Sequence, residues 1–150
     1  MSLTWAYLRP ENTMVYLSFA AAAWLEARRI DWRRSAKASL HRDFANQPWT
    51  HEYKDESGVQ AVALLHADGL GPSRLLCAEE LKRRLLGDFN WYVPERSCAF
   101  VISKSASSAI RDTVTAAVRG CQESADVPMS TEAFPAEILD SVVGALNENA

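Results

Sequence analysis

Near the start of the chain, the apolar positions form an almost unbroken run. Residues 14–25, MVYLSFAAAAWL, contain serine as their only strongly polar residue. This run predicts a helix that begins after Asn12 or Thr13 and ends near Arg29. Because its first half is apolar nearly all round, we expect this helix to lie in the centre of the fold or at an interface.

The next segment has the periodicity of an amphipathic helix. Asp31 can cap its first turn, and Pro48 prevents it from continuing. The apolar residues at every fourth position, which we expect to be buried, are Trp32, Ala36, Leu40 and Phe44.

After Pro48 the pattern changes to that of β-strands. Trp49, His51 and Tyr53 alternate with polar residues, which predicts a half-buried strand with these three side chains on its inner face. The sequence DESG supplies a turn, and the apolar segment 59–67 predicts a second strand that is covered on both faces.

A second hairpin is predicted farther along the chain. Its strands are residues 89–93 and 98–103, and the sequence PERS forms the turn between them. Trp91 and the tyrosine that follows it must face opposite sides of the sheet, so one of them is covered by a helix or available to a partner.

Three further helices are predicted around this second hairpin. The first lies between the hairpins and is ended by Gly87, and the second covers residues 105–119 and is ended by Gly120. The last begins near Pro135 and has an apolar side complete enough to dock firmly or to mediate dimerisation. The residues on that side are Ile138, Leu139, Val142, Val143 and Leu146.

The predicted element order is therefore αα-ββ-α-ββ-α-α. Two antiparallel hairpins separated by a helix indicate an α+β fold with a four-stranded sheet. At 150 residues, the chain is predicted to form a single domain over 1–150, of which residues 1–3 can be an expression leader.

Composition and charge narrow the function classes. The net charge of −3 gives no overall attraction to nucleic acid or to anionic membranes. The charge is uneven, since residues 1–45 carry seven basic and four acidic residues, whereas 121–150 carry six acidic residues and no basic one. Complementary surfaces, within the fold or between subunits, are one interpretation, and two solvated faces are the other.

The cysteines and the apolar run bear on location. Cys77, Cys98 and Cys121 are far apart and form no CxxC pair, which favours reduced, mostly buried thiols in a cytoplasmic protein. The apolar run 14–25 is shorter than the roughly 20 residues of a membrane span, and a signal peptide is the alternative interpretation.

The segment DGLGPSRLL, residues 68–76, lies between a predicted strand and a predicted helix, as phosphate-binding loops do. It lacks the lysine of a P-loop and the third glycine of a dinucleotide-binding loop. The simpler interpretation is a turn in which Gly71 supplies unusual dihedral angles and Ser73 caps backbone N–H groups. No GxSxG, HExxH or CxxC pattern is present, so no metal and no cofactor are predicted.

Three short motifs resemble the YtpQ-like group of bacterial proteins over residues 59–134. They are Ser73-Leu75-Leu76 after the first hairpin, Pro94 and Arg96 at the second turn, and Pro128 with Ser130. Two positions depart from the group's pattern, because Ser97 replaces an aspartate and Ala78 replaces a proline. The resemblance implies the fold and brings no established activity.

We therefore expect a cytoplasmic bacterial protein that acts by binding a protein partner, as an adaptor or antidote-type domain, and that forms a homodimer. The candidate interface residues are Phe19, Trp24, Trp91, Val142 and Val143.

The alternative is a small-ligand or enzymatic domain built on the 66–76 turn. The candidate residues for a ligand or partner there are His66, Asp68, Ser73, Arg74 and Arg96.

Overall fold

The computed structural model describes residues 6–8 and 14–141, with side chains from residue 17 onwards. The chain divides into two compact units between Ala38 and Ser39. Within the described residues, every helix is too short or too polar to cross a bilayer.

Among the described residues of the first unit, two paired strands precede the helix. Strand β1 (Ala6–Leu8) pairs antiparallel with β2 (Met14–Tyr16), and helix α1 (Phe19–Ala27) follows. The predicted helix start after Asn12 or Thr13 is therefore wrong. Ser18 caps α1, since its hydroxyl accepts a hydrogen bond from the Ala21 N–H at 3.1 Å.

Helix α2 (Trp32–Asn46) agrees with the prediction at both ends. Asp31 accepts a hydrogen bond from the Arg34 N–H at 2.9 Å, and the helix ends two residues before Pro48. From Ser39 onwards α2 belongs to the second unit. Of the four apolar residues of α2 that were expected to be buried, only Phe44 is fully buried.

The second unit is built on a five-stranded antiparallel sheet with the order β3-β4-β6-β5-β7. The strands are β3 (His51–Asp55), β4 (Gly58–Leu64), β5 (Phe89–Glu95), β6 (Cys98–Ser103) and β7 (Pro128–Pro135). The α+β class and both predicted hairpins are confirmed. The predicted four-stranded sheet is one strand short, because β7 adds to β5 at the edge and places Phe134 opposite Trp91.

Strand β4 has a core on each side, as its apolar sequence predicts. Val62 and Leu64 pack in one core with α3 (Ala78–Arg84), and we name this side of the sheet the α3 face. Ala61 and Ala63 pack in the other core with α4 (Ser108–Glu123), and we name this side the α4 face.

The prediction that Trp49, His51 and Tyr53 share one face of the first strand is wrong. Trp49 packs on the α3 face, whereas Tyr53 packs on the α4 face. Residue 49 precedes β3, so the strand alternation does not extend to it.

The helices of the second unit agree only in part with the sequence pattern. Gly120 lies inside α4 and does not end it. A last helix begins at residue 137, two residues after Pro135, and continues to residue 141, where the described residues end. Leu139 on this helix is buried in the α3-face core.

Candidate functional site

The segment 66–76 is a compact turn that leads into a 3-10 helix, Pro72–Leu76. Gly69 has a φ of +70°, which favours glycine. Gly71 has an ordinary helical φ of −47°, so the prediction of unusual dihedral angles there is wrong. What requires a glycine is space, because a Cβ atom at position 71 would lie 2.1 Å from the Leu64 carbonyl oxygen and 2.7 Å from that of Ser97.

A buried ion pair holds the turn closed. Arg74 is only 2% exposed, and its guanidinium donates to Asp68 Oδ1 at 3.1 Å and to Oδ2 at 2.8 Å. Asp68 Oδ1 also accepts the Leu70 N–H at 2.8 Å. The hydrogen bonds from Arg74 hold the pKa of the Asp68 carboxyl below its ordinary value. Both carboxylate oxygens are therefore engaged within the protein.

His66 is bound to the backbone beside this pair. It is buried, and its Nε2 lies 2.9 Å from the Gln47 carbonyl oxygen, to which it donates when it carries the proton. Desolvation by burial, with the nearby Arg74 charge, lowers the pKa of His66. A neutral imidazole held in this way supports the turn.

The remaining two candidates do not join this network. Ser73 is half-buried, and the 3-10 helix has no side-chain cap, so the capping role predicted for Ser73 is wrong. Asp68 instead binds a backbone N–H of the turn that precedes this helix, that of Leu70. Arg96 is exposed in the β5–β6 turn, and no hydrogen bond or ion pair links it to His66, Asp68 or Arg74 within the described part of the chain.

The candidate interface residues have different environments. Phe19 is 97% exposed and Trp24 is 52% exposed, and both lie on α1. Trp91 is 1% exposed, stacks on Phe134, and donates its indole N–H to the Pro135 carbonyl at 3.1 Å. Its proposed place at an interface is therefore corrected to a place in the core. Val142 and Val143 lie outside the described residues.

The cysteines are free thiols, as predicted. Cys77 and Cys98 are buried, and burial raises the pKa of each thiol to about 12. Neither is a ready nucleophile, because the reactive species is the thiolate.

A cleft that the sequence did not predict lies where the end of α2 meets α3. It has a volume of about 410 Å³. Its wall residues are His41, Phe44, Ala45, Pro48, Trp49, Glu80, Arg83 and Arg84. His41 Nδ1 lies 3.1 Å from Glu80 Oε1, and the side chain of Cys77 completes a group whose three donor atoms are all within 4.8 Å of one another.

The sequence signal for this group is weak. Cys77 and Glu80 are three residues apart, which places them on one side of a helix, but His41 comes from another helix 36 positions earlier. The contact between the two helices brings the ring of His41 on α2 against Glu80 on α3.

No protein-family model, no curated protein and no solved structure matches this chain. The resemblance to the YtpQ-like group therefore stays a prediction.

Proposed function

We propose that this protein is a non-catalytic interaction domain that forms a homodimer through α1. The observation that carries this proposal is an apolar helix without a single buried residue. Phe19 is 97% exposed and Trp24 is 52% exposed, although aromatic side chains of this size dominate the energetics of cores and interfaces.

The exposed positions of α1 lie together on one side of the helix. At 100° per residue, the exposed residues fall within an arc of about 160°; they are Phe19, Ala20, Ala23, Trp24, Glu26 and Ala27. Ala21, Ala22 and Leu25, which are half-buried, lie on the other side. With Glu26 at its edge, the exposed side combines two large aromatic residues with three alanines, a shape in which the rings of one copy fit over the alanines of another.

The charges next to α1 are compatible with a second copy of the same chain. Glu26, the one ionised residue within α1, forms an ion pair with Arg33 at 2.8 Å. The Arg28 guanidinium lies 3.8 Å from the centre of the Trp24 ring. The one carboxylate of α1 is therefore paired, and the Arg28 charge just after the helix lies over the Trp24 ring.

The contribution of Phe19 to such a dimer can be worked out from its exposure. Burial of a fully exposed Phe side chain contributes about 1.5–3 kcal/mol. A symmetric dimer buries two of them, so Phe19→Ala should cost about 3–6 kcal/mol of association free energy. Since about 1.4 kcal/mol corresponds to a factor of ten, the dimer Kd should rise at least about a hundredfold.

Sedimentation equilibrium over a wide concentration range tests this proposal. We expect the wild-type chain to be a dimer and Phe19→Ala to be a monomer at the same concentrations. Leu86→Ala is the matched control, because Leu86 is 82% exposed but lies in the second unit. A monomeric wild-type chain, or a Phe19→Ala variant that dimerises normally, would contradict the proposal.

The 66–76 turn supports the non-catalytic part of the proposal over the small-ligand alternative. Asp68 and Arg74 are bound to each other, and His66 is bound to the backbone of Gln47. A ligand that used the Asp68 carboxylate or the two terminal nitrogens of the Arg74 guanidinium would first have to break the ion pair that holds the turn.

A further inference from the structure

We propose that His41, Cys77 and Glu80 form a zinc-binding site with an open fourth position. These residues supply an imidazole nitrogen, a sulfur and a carboxylate, and their donor atoms lie within 4.8 Å of one another. Among the described residues, this is the group of histidine, cysteine and acidic side chains that is close enough to share one ion.

The fold places the three ligands without a long flexible segment. Cys77 immediately precedes α3, and Glu80 lies in the first turn of that helix. Leu81 and Leu85, which are 0% and 3% exposed, anchor the same helix in the α3-face core. Position 41 is fixed in turn by Phe44, which is 5% exposed in that core one turn later on α2.

The spacing of the ligand atoms is close to that of a tetrahedral site. Zinc binds nitrogen and oxygen at about 2.0–2.2 Å and sulfur at about 2.3 Å, which separates neighbouring ligand atoms by about 3.3–3.6 Å. His41 Nδ1 and Glu80 Oε1 are already 3.1 Å apart. The donor atoms, which all lie within 4.8 Å of one another, would have to approach by up to about 1.2–1.5 Å to reach that spacing.

The donor types favour zinc over calcium and magnesium. Calcium and magnesium take oxygen ligands, so a cysteine sulfur disfavours both. Zinc accepts thiolate, imidazole and carboxylate ligands together, and three protein ligands with one free position are the arrangement of zinc sites that bind water or substrate.

Glu80 provides a second, independent observation. Its Oε2 atom is buried and accepts no hydrogen bond, although buried carboxylate oxygens usually have a partner. Zinc held by both oxygens of the Glu80 carboxylate would bind Oε1, which lies 3.1 Å from His41 Nδ1, and would also give Oε2 a partner. His41 and Glu80 also line the cleft, through which a water molecule can reach the fourth position.

The positive charges around the site are held by other partners or can move away. Arg74 is bound to Asp68, and Arg84 is bound to Glu52. Arg83 lies 3.6 Å from Glu80, but its side chain is 74% exposed and can turn into solvent when zinc takes its place.

Binding has a defined proton balance. The Cys77 thiol forms a sulfur–zinc bond and gives its proton to the buffer, and His41 binds through Nδ1 with its proton on Nε2. Each bound zinc ion therefore releases the Cys77 thiol proton, together with one from His41 wherever that imidazole is charged before binding.

Titration of the metal-free full-length chain with zinc tests the proposal, with Co²⁺ as a spectroscopic probe. We expect one zinc ion per chain and a sulfur-to-cobalt charge-transfer band in the near ultraviolet. Cys77→Ser should remove that band and weaken zinc binding at least about tenfold. Cys98→Ser is the matched control, since Cys98 is equally a free, buried cysteine and should keep both properties.

His41→Ala and Glu80→Gln keep the test valid if Cys77→Ser does not fold. Both side chains are partly exposed, so these variants should fold and lose zinc affinity at least about tenfold. His51→Ala, at an exposed histidine on β3, should bind zinc normally. A wild-type chain that binds no zinc would overturn the proposal, as would unchanged binding by folded His41→Ala and Glu80→Gln.

Discussion

Replacement of Gly71 by alanine is the sharpest stability test that the structure offers. A Cβ atom at this position would lie 2.1 Å from the Leu64 carbonyl oxygen and 2.7 Å from the Ser97 carbonyl oxygen. Both neighbours are backbone atoms, one at the end of β4 and one in the β5–β6 turn, so no side-chain rotation can relieve the overlap. Overpacking costs about 1–3 kcal/mol and occasionally more. Because two strands must shift, we expect Gly71→Ala to cost about 3 kcal/mol or more.

Urea and thermal unfolding followed by circular dichroism measure this cost. For a chain of this length, about 3 kcal/mol corresponds to a Tm lowered by roughly 6–12 °C. Gly120→Ala is the control, because nothing lies within 4 Å of a Cβ atom there and the position is inside α4. This change should stabilise the protein by about 0.5–1 kcal/mol. If Gly71→Ala unfolds within about 1 kcal/mol of the wild type, the close approach of the turn to β4 is refuted.

Two further predictions concern the groups beside Gly71. Asp68→Asn leaves the Arg74 charge buried without its partner, and since Asp68 is partly exposed we expect urea unfolding to show a stability loss of about 2–3 kcal/mol. Glu79→Gln is the control, because it removes an exposed ion pair with Lys82 and should cost less than about 0.5 kcal/mol. Equal stability losses in the two variants would contradict the role of the buried pair. The lowered pKa of His66 means that, below its ordinary value of 6.5, the unfolded chain takes up a proton that the folded chain does not. The free energy of unfolding should therefore fall as the pH falls through 6.5 towards the folded pKa of His66. His66→Gln should flatten this part of the stability–pH curve. An unchanged curve in that variant would show that His66 does not cause the pH dependence.

The elements that could be predicted from the sequence are those whose own side chains carry the structural information. Strand β4 is apolar at nearly every position because it is covered on both faces, and a buried central strand has no other pattern. The β3–β4 turn could be predicted for a local reason, since Gly58 adopts a φ of +105° that other residues avoid.

Strand β7 could not be predicted in the same way. It is an edge strand, and six of its eight residues are exposed, so its side chains show no alternation between buried and polar positions. Its place is set by β5, through the pairing of Trp91 with Phe134 and the hydrogen bond from Trp91 to Pro135. These contacts connect segments more than 40 residues apart, which local patterns do not encode.

The beginning of α1 was mispredicted for a different reason. Residues 14–16 are apolar, and a short apolar run is compatible with either a helix or a strand. Pairing with residues 6–8 decides in favour of the strand. Ser18, one of the residues preferred at helix N-termini, marks the true start of the helix.

The candidate site was predictable only where its contacts are local. Asp68 binds the Leu70 N–H two residues later, a spacing typical of aspartate in turns. The burial of Arg74 was not predictable, because it depends on how the turn packs against the rest of the second unit. The same limit applies to His41, which reaches Cys77 and Glu80 only after α2 and α3 have packed together.

The two proposed binding activities depend on different residues and affect stability through different variables. Self-association of α1 stabilises the native state more at higher protein concentration, whereas zinc stabilises it more at higher zinc concentration. Phe19→Ala should therefore remove the concentration dependence of Tm and keep the response to zinc. Glu80→Gln should do the reverse. Because these residues have no binding partner in common, the two losses should add in the double variant. Loss of both responses in either single variant would indicate a folding defect instead of the loss of one site.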